Sequence, residues 1–357
     1  MIPYGHQSID DDDVEAVDGV LRGDWLTQGP HIEEFEDRLR DATEARHAVV
    51  FTSGTAALHA AAHAAQLGAD SRLATSALSF VASANCGVYI GAAIDFIDID
   101  PMTLNLDPAQ LPSGVDALVA VHYAGLPVDL AALPRRPSVV IEDAAHALGA
   151  RTSDGPVGNC ARSDMCCFSF HPVKLITTGE GGAVTTNDDD LARRLRRFRN
   201  HGIEPPTRGE PWRYDVIETG FNYRMTDVQA ALGTSQLRRL ERFVERRNQI
   251  ASSYRVLLAD TPIEMPPTPP YGVRHAYHLF PIRVAERRRV FEGLRAEGIG
   301  VQVHYVPIHH HTVFRHRGAW QLPNTDAAYD KLLSLPCYPD LRDDQLERVA
   351  AILRGLV

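Results

Sequence analysis

No Cys-x-x-Cys pair occurs in this 357-residue sequence, and its five cysteines, Cys86, Cys160, Cys166, Cys167 and Cys337, are an odd number. A zinc ribbon and a dithiol redox centre are thereby excluded, and the cysteines read as small buried hydrophobes in a reducing compartment. No run of about 18 uncharged apolar residues is available to cross a bilayer. The opening "MIPYGHQSIDDDD" is acidic and lacks the basic-then-apolar pattern of a secretory signal. A soluble, cytoplasmic protein with no membrane partner is expected. A net charge of −10 argues against nucleic acid as a partner, because phosphate backbones are bound by clustered Lys and Arg. The basic stretch "ARRLRRFRNHG" reads as a solvated helix face. Neither G-x-G-x-x-G nor G-x-x-x-x-G-K-[ST] occurs, so neither a dinucleotide fold nor a nucleoside-triphosphate loop is supported.

What is present is an alternation. The runs "HAVVF", "IDFIDI", "ALVAVHYAG", "SVVIEDAA", "MCCFSF" and "GAVTTN" read as strands, and "TAALHAAAHAAQLG" and "SFVASANCGVYIG" as helices. Strands alternating with helices mean an α/β fold with helices packed on a mostly parallel sheet, and near-continuous apolar strands mean that both faces are covered. From "GFNYRMTDVQAALG" onward the pattern predicts one helix of about ten turns that starts at Thr226 or Asp227. The Pro-rich "TPIEMPPTPPYG" then breaks the periodicity, and a second αβ segment follows with "HAYHLFPIRV", "RRRVFEGLRAEGIG" and "VQVHYVPI". The chain exceeds the roughly 250 to 300 residues that one core fills. A large domain over 1–245 and a smaller C-terminal αβ domain over 246–357 are expected.

Three features fall just past apolar strands. Ser53-Gly54-Thr55 ends a strand and opens a helix, where free N–H groups and the helix dipole favour a phosphate, although the same residues also make an ordinary N-cap. Asp143 ends "SVVIED", at the edge where ligands bind in open α/β sheets; capping of the next helix is the competing reading. Lys174 follows "CFSFHPV". A solvated loop cation is one reading, and a partly desolvated amine, nucleophilic toward a carbonyl, is the other. Together they supply what pyridoxal phosphate needs: a phosphate cup, an acid for the pyridinium nitrogen and a Schiff-base lysine. The "HHH" at 309 to 311 suggests a metal, but adjacent histidines point different ways and no acid stands at ligand spacing, so no metal is expected.

The blocks "WLTQGP", "SGTAALH", "SFVASAN", "IEDAAHALGA", "FSFHPVKLITTGEGG", "GFNYRMTDVQAALG" and "HAYHLF" resemble, in order and over essentially the whole chain, the DegT/StrS family of pyridoxal phosphate-dependent sugar aminotransferases. The form "HPVKLITTGEGG" is nearer to its PseC-type branch, which belongs to pseudaminic acid synthesis. The resemblance implies a fold-type I aminotransferase, with pyridoxal phosphate cycling through pyridoxamine phosphate. Lys174 would bond the cofactor and move the proton, Asp143 would pair with the pyridinium nitrogen, and His146 would lie near the phenolic oxygen. Gly54, Thr55 and Ser169 would hold the phosphate, and Phe80 would stack on the ring. Asn222 and Arg224 correspond to residues that come from the neighbouring subunit of a homodimer. Thr27, Gln28, His304 and Tyr305 resemble substrate-side residues. L-glutamate is implied as donor and a nucleotide-linked 4-keto-6-deoxy sugar as acceptor, a UDP-linked N-acetyl hexosulose first, another UDP- or dTDP-linked keto sugar next. A histidine in place of the lysine would have meant dehydration; Lys174 favours transamination. A non-catalytic regulatory protein of the same fold is the different-class alternative.

Overall fold

The computed structural model describes residues 1–204, 210 and 212–357. Its centre is a seven-stranded sheet. In chain order the strands are β1 (His47–Phe51), β2 (Arg72–Ser76), β3 (Ala93–Ile97), β4 (Ala117–Val121), β5 (Val139–Asp143), β6 (Met165–Ser169) and β7 (Gly182–Thr186). Their spatial order is β1-β7-β6-β5-β4-β2-β3. Pairings among β6, β5, β4, β2 and β3 are all parallel, and β7 runs antiparallel to both β1 and β6. The sheet is therefore mainly parallel, with one reversed strand. Register pairs Val121 with Asp143 and Asp143 with Cys167, so β4, β5 and β6 bring their carboxyl ends to one edge.

Helices cover both faces: α1 (Asp11–Arg22), α2 (Pro30–Thr43), α3 (Gly54–Ala64), α4 (Ala82–Tyr89) and α5 (Asp189–Arg199), then α6 (Asp227–Leu237) and α7 (Leu240–Leu257). α3 is nearly all alanine on its buried side, and short side chains let its axis lie close to Val49, Phe51 and Val184 of the sheet. Gly233 in α6 serves the same purpose against α2, since a Cβ there would stand 2.5 Å from the Phe35 ring. The C-terminal part holds α8 (Arg287–Ala296), the short α9 (Thr312–Arg315), α10 (Pro323–Lys331) and α11 (Asp343–Leu356) around an antiparallel pair, β8 (Phe280–Arg283) and β9 (Leu332–Leu335).

Two expectations about elements need correction. The single long helix is two helices, capped at Thr226 as expected but interrupted at Arg238 and Arg239. The Arg239 guanidinium pairs with Asp10 at 2.5 Å and with the buried Asp13, anchoring the break to α1. Beyond it, α7 passes from one core to another: Leu240, Phe243 and Val244 pack with the sheet residues Phe168 and Ala183, whereas Ile250, Ala251 and Tyr254 pack with Phe280 and Leu335. The second correction is a strand the apolar pattern does not reveal. β2, "RLATS", holds only Leu73 and Ala74 as apolar residues, yet lies between β3 and β4 with Thr75 buried, its hydroxyl donating to the Val119 carbonyl at 2.9 Å.

Arg247, on α7, is fully buried with no acidic partner among the described residues, and its Nη1 donates to the carbonyls of Tyr277, His278 and Cys337 at 3.2, 3.2 and 2.5 Å. Burial holds its pKa below the usual guanidinium range. The guanidinium thus fixes the 277–278 segment to the C-terminal core. Replacing it by Leu orphans three buried acceptors, and urea unfolding of Arg247→Leu should show a loss of about 3 kcal/mol. Unchanged stability would mean that those carbonyls find other donors.

Candidate active site

At the carboxyl edge of the sheet lies a cavity of about 390 Å³. Gly54, Thr55, Phe80, Asp143, His146, Ser169, Lys174, His304 and Tyr305 all line it. Nine of the residues singled out from the sequence thus converge here. α3 opens directly after β1, with Ser53 as N-cap accepting from the Ala56 N–H at 3.1 Å. The first-turn N–H groups of a helix have no carbonyl upstream, and the dipole adds positive potential there. Ser169, at the end of β6, closes this cup. A Cβ on Gly54 would stand 2.8 Å from the Ser169 Cβ, and one on Gly182 would stand 2.4 Å from the Ser53 carbonyl oxygen. Both glycines are needed for that approach.

Asp143 is buried at the last position of β5. Its Oδ2 accepts from the Ser83 hydroxyl at 2.6 Å, and its Oδ1 from the Ala145 N–H at 3.2 Å. Since Ser83 spends its proton on the carboxylate, the Ser79 hydroxyl 2.7 Å away donates to Ser83. The carboxylate therefore makes a turn cap and also belongs to a fixed chain of hydroxyls.

Lys174 borders the cavity, and desolvation lowers its pKa to about 8, with the Asp143 charge pulling the other way. Three histidines surround it. Burial, reinforced by Lys174 and by neighbouring imidazoles, holds His146 and His278 far below the usual histidine range, and His304 is lowered to about 4. All three are neutral at physiological pH. His146 Nε2 lies 3.0 Å from the Tyr305 hydroxyl, whose pKa burial raises, while the Nδ1 atoms of His146 and His278 are buried without a partner. Phe80, 55% exposed, faces Tyr305 across the mouth with ring centroids 5.9 Å apart.

The other four sequence-derived residues lie elsewhere. Thr27 bridges Thr226, Asn222 bridges Asn200, and Arg224 Nη1 donates to Asn200 Oδ1 at 2.7 Å. Gln28 and Arg224 line a separate cleft of about 820 Å³ beside α2 and α5. Several contributors to the cavity escaped the sequence reading, among them the lining residues Tyr4, Ser79, Glu180 and His278, and Ser83 behind Asp143. His278 was hidden inside "HAYHLF", and Tyr4 carried no local signal. Ser83 stands one helical turn after Ser79, so its i,i+4 spacing could have marked it. One global signal was available as well: the chain contains only two lysines, Lys174 and Lys331, and Lys331 pairs with Glu264 at 3.5 Å in the C-terminal part.

The histidine run also departs from expectation. His309 and His310 do not diverge: both Nε2 atoms converge on Asp326 Oδ1, at 3.1 and 2.9 Å. The acid comes from α10, too far along the chain for sequence spacing to reveal.

With this geometry in view, the comparisons with known proteins are decisive. A family model, the DegT/DnrJ/EryC1/StrS aminotransferase family, matches residues 7–354. The chain belongs to this family. Among solved structures it is similar to Helicobacter pylori PseC, an aminotransferase involved in the biosynthesis of pseudoaminic acid, with 29% identity, 99% of this chain and 98% of that one covered and a TM-score of 0.92. It is likewise similar to the sugar aminotransferase CalS13 of Micromonospora echinospora, with 30% identity, 99% and 100% coverage and a TM-score of 0.90. Spr1654 of Streptococcus pneumoniae in its PLP form matches at 25% identity, with 99% and 98% coverage and a TM-score of 0.91. Among the described residues no helix is long and apolar enough to cross a membrane.

Lowering an amine's pKa favours its neutral form in the folded chain. The unfolded chain then binds the extra proton, so the penalty is fully present below about pH 8 and vanishes as pH rises toward 10.5. Cofactor-free Lys174→Met should be more stable than the cofactor-free parent at pH 7, by up to about 3 kcal/mol, with the gap closing toward pH 10.5. Urea unfolding at several pH values measures this; a gap independent of pH would mean that Lys174 is solvated.

Proposed function

We propose that this aminotransferase uses pyridoxal phosphate to move an amino group from L-glutamate to a nucleotide-linked 4-keto-6-deoxy sugar, with a UDP-linked N-acetyl hexosulose as the first candidate. The observation that carries the reading is Lys174: a desolvated amine that shares one cavity with the Asp143 carboxylate and the Gly54–Ser169 cup. The residues fit the cofactor. The cup suits a phosphate, Asp143 is already aimed by Ser83, and the unpartnered Nδ1 of His146 can meet the phenolic oxygen. When bound, pyridoxal phosphate supplies a carbonyl that takes up an amino group and a ring that withdraws electrons from the reacting carbon.

The protein's own contribution is positioning and proton handling. With a pKa of about 8, about a tenth of Lys174 side chains are unprotonated at pH 7, against fewer than about one in a thousand for an ordinary lysine. Nζ can therefore take a proton from a substrate carbon and return it. Asp143 would hold a ring nitrogen protonated when the cofactor is bound. Tyr305 and Phe80 frame the mouth through which the sugar enters.

Among the described residues no arginine lines this cavity, yet glutamate and a sugar diphosphate both bring negative charge. That supports a homodimer in which the partner copy supplies Arg224 and Asn222, each subunit being read as a large lobe over 1–245 and a small lobe over 246–357. The similarity to PseC, an aminotransferase involved in the biosynthesis of pseudoaminic acid, supports a sugar of that pathway as acceptor.

Lys174→Ala should lose the near-ultraviolet absorbance of lysine-bonded cofactor and at least about a thousandfold in kcat, measured with glutamate and a panel of UDP- and dTDP-linked 4-keto sugars. Turnover restricted to dTDP sugars would displace the UDP choice, and no cofactor uptake at all would leave the non-catalytic reading. Mixing inactive Lys174→Ala with inactive Arg224→Ala subunits should restore about a quarter of parental activity, because one of the two sites in each mixed dimer is intact. No recovery, with mixed dimers confirmed by mass, would overturn the shared site.

A further inference from the structure

The histidine run takes no part in the cavity described above. We propose that His309, His310 and Asp326 form a binding site for one divalent transition-metal ion of the zinc, nickel or cobalt type.

The ligand atoms are Nε2 of His309, Nε2 of His310 and one Asp326 carboxylate oxygen, all within 4.8 Å of one another. Bonds of about 2.0 to 2.1 Å put neighbouring ligand atoms about 2.8 to 3.0 Å apart in an octahedral shell and about 3.3 to 3.4 Å apart in a tetrahedral one. The two nitrogen-to-oxygen separations, 3.1 and 2.9 Å, lie close to these ranges. An ion therefore needs small side-chain adjustments and no refolding of the backbone.

Both halves of the site are held in place independently. The turn Ile308–His310 is tied to the end of β2 by the Ile308 N–H donating to the Ala77 carbonyl at 2.8 Å. The first turn of α10 is gripped by Asp98, just past β3, which accepts from the N–H groups of Asn324 and Thr325 at 2.9 and 2.8 Å and from the Thr325 hydroxyl at 2.7 Å. The Asn324 amide adds a bond to the Ile99 carbonyl at 3.0 Å. With both halves fixed, little entropy is lost in assembling the ligands.

Ligand chemistry decides the class of ion. Two imidazoles and one carboxylate suit zinc, nickel and cobalt, whereas magnesium and calcium prefer oxygen shells. In the metal-free protein the same groups already touch, with His309 Nε2 sharing a hydrogen bond with Asp326 Oδ1 and His310 Nε2 lying 2.9 Å from the same oxygen. On binding, each neutral ring carries its proton on Nδ1 and turns the Nε2 lone pair to the ion. His309 Nδ1 is buried without a hydrogen-bond partner, so the backing contact that tightens strong sites is missing there. The site is accordingly exchangeable, and folding does not depend on it. The side chains of His310 and Asp326 are 37% and 47% exposed, which leaves an entry route and room for water in the remaining positions.

An ion here would pin the Ile308–His310 turn to α10. Tyr305, which reaches His146 in the cavity, lies four residues before His309 in the same segment. The structure therefore assigns the ion a stabilising role on the stretch of chain that delivers Tyr305.

The test uses the untagged, chelator-stripped full chain, titrated with Co²⁺ by visible absorbance and with Zn²⁺ by calorimetry. One ion per chain is expected, with binding weakened at least about tenfold in Asp326→Ala and in His309→Ala and unchanged in His311→Ala. His310→Ala, at the more exposed ring, serves as the second ligand variant if His309→Ala disturbs packing. Zinc should raise the melting temperature of the parent but not of Asp326→Ala. The five cysteines are all buried and do not compete. Absence of saturable binding at millimolar ion overturns the proposal, as does binding that survives Asp326→Ala or is lost equally in His311→Ala, the mark of a flexible chelating run.

Discussion

Desolvation of the Lys174 amine is the constraint to which the other features of the cavity answer. An ammonium group removed from water is costly unless an opposite charge or a set of hydrogen bonds compensates it. Here the compensation is partial: the Asp143 charge raises the lysine pKa but does not cancel the effect of burial. The carboxylate is not free to swing over and form a tight pair, because Ser83 and Ala145 hold both of its oxygens. An unconstrained aspartate would quench the amine in a salt bridge. A fixed one leaves the amine reactive and keeps the carboxylate in one orientation at the cavity wall.

The neutral histidines follow from the same constraint. His146, His278 and His304 stand close to Lys174, and any of them as a cation would add like charge to a dry site. Burial removes that possibility, leaving imidazoles that donate or accept without charge. His304 is anchored through Nδ1 to the Ser334 hydroxyl at 2.9 Å, and its carbonyl accepts from the buried Tyr123 hydroxyl. The Nδ1 atoms of His146 and His278 are different: they are buried in a cavity wall with no hydrogen-bond partner among the described residues, an arrangement that makes physical sense where a ligand completes the set.

Legibility in the sequence tracked the range of the interaction. Strand ends were readable because apolar runs stop abruptly, and the residues that matter, Gly54, Asp143, Ser169 and Lys174, sit at those stops. β2 was not readable, because Thr75 and Ser76 are buried by satisfying their hydroxyls and not by being apolar. The break between α6 and α7 depends on Arg239 meeting Asp10 and Asp13 from the far end of the chain. The convergence of His309 and His310 on Asp326 depends on how Asp98 seats α10. His278 and Tyr4 enter the cavity by tertiary placement alone. Periodicity reports which face a residue takes, and strand boundaries report which edge it reaches, but neither reports what arrives from another part of the fold.

The separation of Thr27, Gln28, Asn222 and Arg224 from the cavity is the remaining feature that one chain does not explain by itself. Their cluster is internally consistent: Arg224 holds Asn200, Asn200 bridges Asn222, and Thr27 bridges the Thr226 cap. Exposed aromatic surface belongs to the same stretches of chain: Trp25, 58% exposed, stands two residues before Thr27, and Phe221, 40% exposed, stacks on Tyr223 with centroids 4.9 Å apart. Apolar surface of this kind beside an arginine is what a subunit interface needs, with aromatics for burial and a guanidinium to reach across. The cavity has the complementary deficit, with no arginine of its own among the described residues. Surplus and deficit on one protomer are the two halves that the proposed sharing of sites between two copies would join.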